Sequence, residues 1–336
     1  MSLVSIIIPA FNCEAHLSKA IQSALDQTWE EKEVIVVDDG SADRTLEIAQ
    51  QFEKNGAKVI TQKNKGASAA RNAGLAIAKG EWIQFLDADD FLREDKVATQ
   101  LALLKSEREV VVCKTVHFIN DPTNAVPDGN DFFQAYLNDP LRFLIKLYGG
   151  FDYHSGMIQP NAFLVPRSVI DKAGKWDEEL SLDDDGEYFC RVLLQCERIV
   201  YAPEPMNFYR KYERNLSLSG SKTSDAYRSQ FTSTKLKHEH LLSHNVDEDL
   251  VPYIHTATFK ALQLLKHELY PGHQKLFIEI DGFSKSLIKH HSRGNEVYGG
   301  TISNFIGNRI SWKLLKHLQL LKSKVPSSKK NSARFL

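Results

Sequence analysis

Two carboxylates stand at the end of an apolar run with a spacing that suits metal and phosphate chemistry. Asp87 and Asp89 flank Ala88 directly after the run 82–86. Side chains so spaced at a strand exit can converge on one divalent cation, Mg²⁺ or Mn²⁺, which keeps positions open for phosphate oxygens. The alternative is a turn whose acids cap the next helix, a role that also suits Asp90.

Two further segments have the composition of a nucleotide site. Asp39 lies in an Asp-Asp-Gly-Ser sequence after the predicted strand 33–37, where an acid can accept from a base N–H or a ribose hydroxyl. An Asx turn is the alternative there. Gly66 opens a small-residue helix that contains Arg71, and a helix start of this kind favours anions. Close packing of its alanines on a sheet explains the same composition equally well.

A third acidic group, Asp183 to Asp185, precedes Gly186 and Glu187. Three adjacent acids repel one another, so they must be solvated, bound to a metal or placed at a helix start. An acidic helix start accounts for Asp183. For one of the other two we predict a general base, because a carboxylate near a phosphoester can take the proton of an attacking hydroxyl.

The elements that must position these groups alternate between strand and helix. Buried strands are predicted at 4–8, 33–37, 58–60, 82–86 and 110–113, with helical spacing between them. The pattern predicts an α/β fold, a doubly wound and mostly parallel sheet flanked by helices. Ligands bind at the carboxyl ends of such strands, where Asn12, Asp39 and Asp89 fall. Further on we expect a helix over 132–148 and only helices beyond 225.

Composition and spacing exclude several classes of protein. The 336 residues carry a net charge of −1 with 42% hydrophobic and 25% charged residues, which excludes wholesale disorder and gives no reason to bind nucleic acid. Four separated cysteines indicate neither a disulfide framework nor a structural zinc site. No Gly-rich loop follows the first strand, which argues against a nicotinamide dehydrogenase and a sugar nucleotidyltransferase.

Together the motifs resemble the family 2 glycosyltransferases of the GT-A fold. The resemblance covers about residues 1–215 in the family's order and spacing. It rests on the stretches 4–12, 36–41, 66–72, 85–90 and 176–178, and on Asp184 to Glu187 with Arg191.

The resemblance implies inverting transfer of a sugar from a nucleoside diphosphate sugar to a hydroxyl of a glycan or lipid-linked acceptor, in cell-surface polysaccharide or glycan assembly. A UDP-sugar donor is favoured, with guanosine and thymidine diphosphate sugars left open. It identifies Asp89 as the contact for Mn²⁺ or Mg²⁺ and Asp185 as the base, with Asp184 as the alternate. The nucleotide site it implies consists of Pro9, Phe11, Asn12, Asp39, Gly66, Arg71, Asp87 and Ala88. Tyr212 departs from the family, which commonly has His at that position.

We expect a catalytic domain over 1–215 and a helical extension over 216–336. Beyond Glu296 there are eight basic residues, no acid, and an apolar stripe at helical spacing from Ile306 to Leu321. We expect a cytoplasmic protein, since the cysteines fit a reducing compartment and no targeting segment is visible. A basic amphipathic helix can lie on an anionic membrane, and an ordinary helix packed on the catalytic domain is the alternative; peripheral membrane contact and internal packing both stay open. A non-catalytic nucleotide-sugar-binding protein on the same fold is the other functional reading.

Overall fold

The computed structural model describes residues 2–119, 122, 125–127, 134–151, 155–212 and 223–287. The strands in the described residues are β1 (Val4–Ala10), β2 (Lys32–Asp38), β3 (Ala57–Thr61), β4 (Trp82–Phe85), β5 (Phe91–Leu92), β6 (Glu109–Phe118), β7 (Val126–Pro127), β8 (Phe163–Pro166) and β9 (Arg198–Arg210). The helices are α1 (Leu17–Leu25), α2 (Thr45–Gln51), α3 (Ala67–Ile77), α4 (Lys96–Leu103), α5 (Pro140–Leu147), α6 (Arg167–Ala173), α7 (Asp184–Gln195), α8 (Ser224–Ser243), α9 (Val251–Leu269) and α10 (Gln274–Leu287).

One mixed sheet organises the fold, in the order β3-β2-β1-β4-β8-β6-β9-β5, with β7 paired to β6. Strands β1 to β4 are parallel, and β6 is parallel to β9. Strand β8 is inserted antiparallel between β4 and β6, while β5 pairs antiparallel with β9. The predicted mostly parallel α/β sheet is therefore confirmed, with antiparallel insertions that the strand pattern did not indicate.

Helices cover both faces of the parallel half of the sheet. Ile6 and Ile8 of β1 pack in one apolar cluster with Leu17 and Ile21 of α1. The alternate residue Ile7 faces a second cluster that continues into α5, α6 and α7. Successive side chains of a strand point to opposite faces, so a strand covered on both sides is apolar throughout. This double burial explains why β1 and β2 are mostly apolar; their polar residues Ser5 and Glu33 hydrogen-bond to each other at 2.6 Å.

Two local predictions were wrong. The helix expected over 132–148 begins at Pro140 among the described residues, because Asp139 caps it by accepting from the Arg142 amide and Pro140 occupies the first turn. Asp90 does not cap a helix, since β5 follows it and the next helix begins at Lys96.

The chain divides into two compact units, Met1–Thr258 and Phe259–Leu336. Helix α8 belongs to the first unit, although it lies beyond residue 215, and the boundary at 215 stays a prediction. In the second unit, Asp281 of α10 accepts from Lys266 and Lys285 at 2.5 and 2.8 Å.

Across the described residues, none of the helices combines the length and the apolar character needed to cross a bilayer. The basic amphipathic helix predicted beyond Glu296, with its apolar stripe from Ile306 to Leu321, lies outside the described residues.

Candidate active site

The ends of β1 and β2 form one wall of the candidate site. Ala10 lies opposite Asp38, and the Asp39 amide donates to the Ala10 carbonyl at 2.8 Å. Asn12 then ties the two loops together, because its amide donates to the Ser41 hydroxyl and its side-chain oxygen accepts from the Ala42 amide. Asn12 has a φ of 46°, a left-handed conformation that Asn tolerates better than most residues. Asn12 therefore holds the loop after β1 against the loop after β2.

Phe11 and Pro9 lie on the same wall. Phe11 is 49% exposed, an unusual exposure for a large apolar ring beside a buried strand. Pro9 is opposite Val37 in the parallel pair of β1 and β2. An accessible ring of this kind can stack on a planar base.

Asp39 is buried and holds the loop that leads to α3. Its carboxylate accepts from the side chain of Gln62 at 2.7 Å and from the amides of Lys65 and Gly66 at 2.9 and 2.8 Å. Gly66 has a φ of 93°, which favours glycine, and α3 starts directly after it. Sequence reasoning identified Asp39 and Gly66 separately and missed their direct bond, and it missed Gln62.

Arg71 joins the acids at the end of β4 to those at the start of α7. Its guanidinium donates to Asp87 at 2.8 Å and to Asp184 at 3.0 Å, while the Trp176 ring centroid lies 4.4 Å from its central carbon. Ser68 also donates to Asp184, at 3.0 Å. Burial alone would lower the pKa of Arg71, but the charges of Asp87 and Asp184 outweigh it and raise that pKa. Arg71 therefore stays charged.

Asp89 faces Tyr212, whose hydroxyl hydrogen-bonds to its carboxylate. Burial first, and then the negative charge of Asp87, raise the pKa of Asp89. The Arg210 side chain donates to the Asp89 carbonyl at 3.1 Å, and the His16 ring centroid lies 6.3 Å from that of Tyr212. Tyr212 thus occupies the position beside Asp89 that the sequence comparison marked as a departure.

Asp90 connects the loop after β4 to the neighbouring chain segments. This buried carboxylate accepts from the Asn161 side chain at 2.8 Å and from the Arg210 amide at 2.7 Å. Asn161 in turn accepts from Asn207 at 2.9 Å. A buried polar network whose members are bonded to one another holds a single geometry, and here it fixes the turn that carries Asp87 to Asp89.

Asp185 lies in the first turn of α7, next to the Asp184 that Arg71 holds. Burial, and then the charges of Asp184 and Asp183, raise the pKa of Asp185 to about 7, although Arg71 acts in the opposite direction. Carboxylates with such a pKa suit proton transfer near neutral pH.

The acids of the strand exit and Asp185 of α7 both act electrostatically on one residue, Tyr209 of β9. Burial and the charges of Asp90, Asp87, Asp89 and Asp185 all raise the pKa of the Tyr209 hydroxyl. Asp89 and Asp185 therefore act on the same point of the molecule, although 96 positions of sequence separate them.

The residues present fit a divalent cation that is shared with a phosphate ligand. In the described part of the chain, no three or more His, Cys, Asp or Glu side chains are grouped to hold a metal by themselves. A Mg²⁺ ion that binds with a nucleotide needs only one or two carboxylates, since phosphates and water complete its coordination. We propose Asp89 for this role: burial, and then the charge of Asp87, disfavour its ionised form and raise its pKa, and a cation would offset both effects.

Comparison with known proteins gives a consistent result. Residues 5–167 match the family model described as Glycosyl transferase family 2. The UDP-Glc:alpha-D-GlcNAc-diphosphoundecaprenol beta-1,3-glucosyltransferase WfaP of Escherichia coli is 41% identical over 111 residues, 32% of this chain and 43% of that protein. Across three other curated glycosyltransferases, the alignment spans 65%, 42% and 71% of the relative's length.

Solved structures share the fold at low identity. TarS 1–349 of S. aureus in complex with UDP-GlcNAc has a TM-score of 0.58 and 19% identity, covering 89% of this chain and 95% of that one. The mannosyltransferase PcManGT from Pyrobaculum calidifontis, in complex with GDP-Man and Mn²⁺, has a TM-score of 0.51 and 14% identity over 96% of this chain and 88% of that one. The sheet and its flanking helices are those of the GT-A fold.

Proposed function

Since residues 5–167 belong to glycosyl transferase family 2, we propose that this chain transfers a sugar from a nucleoside diphosphate sugar to a hydroxyl group, in polysaccharide or glycan assembly. A UDP-sugar is the proposed donor. Its support is the UDP-Glc in the name of WfaP and the UDP-GlcNAc bound to TarS. The accessible Phe11 ring suits a flat base, and the proposed site includes Asp39 and Asn12 on the same wall.

The proposed acceptor is a glycan or a sugar carried on a lipid diphosphate. WfaP, by its name, acts on alpha-D-GlcNAc-diphosphoundecaprenol. Such an acceptor would bring the reaction to the cytoplasmic surface of a membrane, where the basic residues beyond Glu296 could contact anionic lipid.

The reaction we propose is a single displacement with inversion. The acceptor oxygen attacks the anomeric carbon, its proton passes to Asp185, and the bond from that carbon to the diphosphate oxygen breaks with its electron pair leaving on the nucleoside diphosphate. Arg71 fixes Asp184, the residue next to the base, and joins it to Asp87. Positioning of this kind supplies a large part of the catalytic effect in bimolecular transfers.

A divalent cation, when bound with the donor, offsets the charge that grows on the leaving diphosphate. We propose Asp89 as its protein contact. Tyr212 and Arg210 flank that carboxylate and its carbonyl, and hold it in place.

The observation that carries the proposal is Asp185, a carboxylate of pKa about 7 next to Asp184, which Arg71 holds at 3.0 Å. The test is a screen of nucleotide sugars for Mn²⁺-dependent release of nucleoside diphosphate, with NMR of the product's anomeric configuration. Asp185→Asn should keep donor affinity and lose about 10²- to 10⁴-fold in turnover, a general-base magnitude.

Two results would contradict the proposal. Full turnover in Asp185→Asn would remove the base assignment. Tight donor binding by the wild-type chain with no turnover of any donor, over a panel of acceptors, would favour the non-catalytic binding protein.

A further inference from the structure

One face of α8 lies along the segment that carries Asp184 and Asp185. Ser229, Ser233, Lys237 and His240 are spaced by four, four and three residues, which places them on one side of a helix. All four bond to residues between 181 and 187. We refer to these four residues as the α8 face.

The α8 face holds the chain before α7. The Ser229 hydroxyl oxygen accepts from the amides of Ser181 and Leu182 at 2.8 and 2.9 Å. The Ser233 hydroxyl donates to Asp183, whose carboxylate lies at 2.7 Å and whose carbonyl lies at 2.8 Å. These bonds tie the three residues that precede α7 to α8, in addition to the intrahelical bond that the Asp183 carbonyl accepts from the Glu187 amide.

Lys237 adds an ion pair at the same point, 2.5 Å from the Asp183 carboxylate. Asp183 has a φ of 62°, in the left-handed region that is uncommon for residues other than glycine and that Asp, like Asn, enters more readily than most. This conformation turns the chain into α7, so it sets the direction in which the next two side chains, Asp184 and Asp185, leave the backbone.

The α8 face also holds the chain after the two acids. His240 lies 2.8 Å from the carboxylate of Glu187, which is 2% exposed and also accepts from two nitrogens of Arg191 at 2.6 and 2.8 Å. Helix α8 therefore bonds to the chain on both sides of Asp184 and Asp185, at residues 181–183 and at Glu187.

We propose that the α8 face is a positioning element for the transfer reaction, in which Lys237 and Ser233 set the orientation of Asp185. The inference rests on the proposed role of Asp185 as the base. It assigns a function to residues that lie outside the matched segment 5–167 and outside the predicted catalytic domain of 1–215. Lys237 and Ser233 are positioning residues, because they act on the reaction through Asp183.

Removal of Lys237 should also change the pKa of Asp185, and this change distinguishes the positioning role from a purely structural one. The charges that act on Asp185 are those of Asp183 and Asp184 on its own segment and of Arg71 from α3, and the charge of Asp185 in turn raises the pKa of Tyr209 on β9. The charge of Asp183 raises the pKa of Asp185, and Lys237 is the cation that partly offsets that charge. Removal of Lys237 should therefore raise the pKa of Asp185 further.

The experiment compares Lys237→Met and Ser233→Ala with Lys237→Arg in the full chain, with steady-state kinetics and pH profiles. We expect Lys237→Met to lower kcat about 10- to 100-fold, the cost of a small misplacement of a reacting group, with little change in the KM for donor. Its acid limb should move to higher pH. Ser233→Ala should show a smaller loss of kcat, and Lys237→Arg should restore most of it.

Lys235→Met is the matched control. It removes a lysine from the same helix whose ammonium lies 5.7 Å from the ring centroid of Phe231, also on α8. We expect this variant to keep the wild-type kcat and pH profile. Donor affinity and thermal melting report whether each variant folds, and Ser233→Ala decides the question if Lys237→Met does not fold.

The outcomes separate this inference from the proposed function. A Lys237→Met variant that matches Lys235→Met in kcat and pH profile, while Asp185→Asn is inactive, would overturn the positioning role and leave the function standing. Full turnover in Asp185→Asn would overturn both.

Discussion

Arg71 links two acidic groups that no local pattern connects. Its partners Asp87 and Asp184 lie 16 and 113 positions away in the sequence. Breaking such a buried ion pair by removing one partner commonly costs about 3–5 kcal/mol, because a charge is left buried and unpaired. The sequence marked Arg71 as a nucleotide-site residue. In the structure it organises the carboxylates instead, and its place in the nucleotide site stays a proposal.

The pKa of Asp185 predicts how activity depends on pH. A base works only when deprotonated, so turnover should fall as the pH drops through about 7, and it should fall about tenfold per pH unit below that value. The measurement is kcat against pH at saturating donor and acceptor.

The same profile for residual activity in Asp185→Asn is the control for this prediction. If the turnover of that variant still falls as the pH drops through about 7, a group other than Asp185 causes the fall.

Among the elements, α4 is attached to the sheet by a fully buried lysine. The Lys96 ammonium donates to Gln84 of β4 at 2.5 Å and to Gln100 at 2.6 Å. Gln84 also donates to the Asn161 carbonyl at 3.1 Å, so Lys96, Gln84 and Gln100 are connected to the polar network that contains Asp90. Neither an apolar stripe nor a cap indicated that a lysine would be buried here, because sequence patterns assign charged residues to the surface.

Burial lowers the pKa of Lys96 from 10.5 to about 8. Between these values the unfolded chain binds more protons than the folded one, so stability should rise with pH. Relative to Lys96→Met, the wild-type free energy of unfolding should rise by about 3 kcal/mol from pH 8 to 10.5. Urea unfolding at several pH values checks this, and parallel curves for the two proteins would contradict it.

Helix α8 shows how far element prediction from sequence reaches. The helical character beyond residue 225 was predicted and is present in α8, α9 and α10. Its contacts with Asp183 and Glu187 were not predicted, since the hydrogen bonds of Ser233 and Lys237 depend on which helix lies opposite. A residue pattern gives the face of a helix and does not give the partner of that face.

At the scale of the whole molecule, the basic residues beyond Glu296 predict binding to anionic membranes. Each lysine near such a surface contributes about 1 kcal/mol, and salt screens the attraction. Replacing Lys313, Lys316, Lys322 and Lys324 by Gln should therefore weaken sedimentation of the full chain with phosphatidylserine vesicles at low salt.

Neutral vesicles and the quadruple variant are the controls for this prediction. Equal binding of the wild type and the variant to anionic vesicles would show that these lysines do not carry the contact.

The sequence by itself determined the alternation of strands and helices in the first half and the acids at the strand exits. Those features follow from local chemistry: runs buried on both faces are apolar throughout, and turns after parallel strands carry polar residues. Only the tertiary structure decided that Asp39 bonds Gly66, that Arg71 bridges Asp87 and Asp184, and that α8 grips the start of α7. These contacts join residues far apart in the chain. Their geometry depends on how the helices and strands pack against one another, and the local spacing of residue types carries no information about that packing.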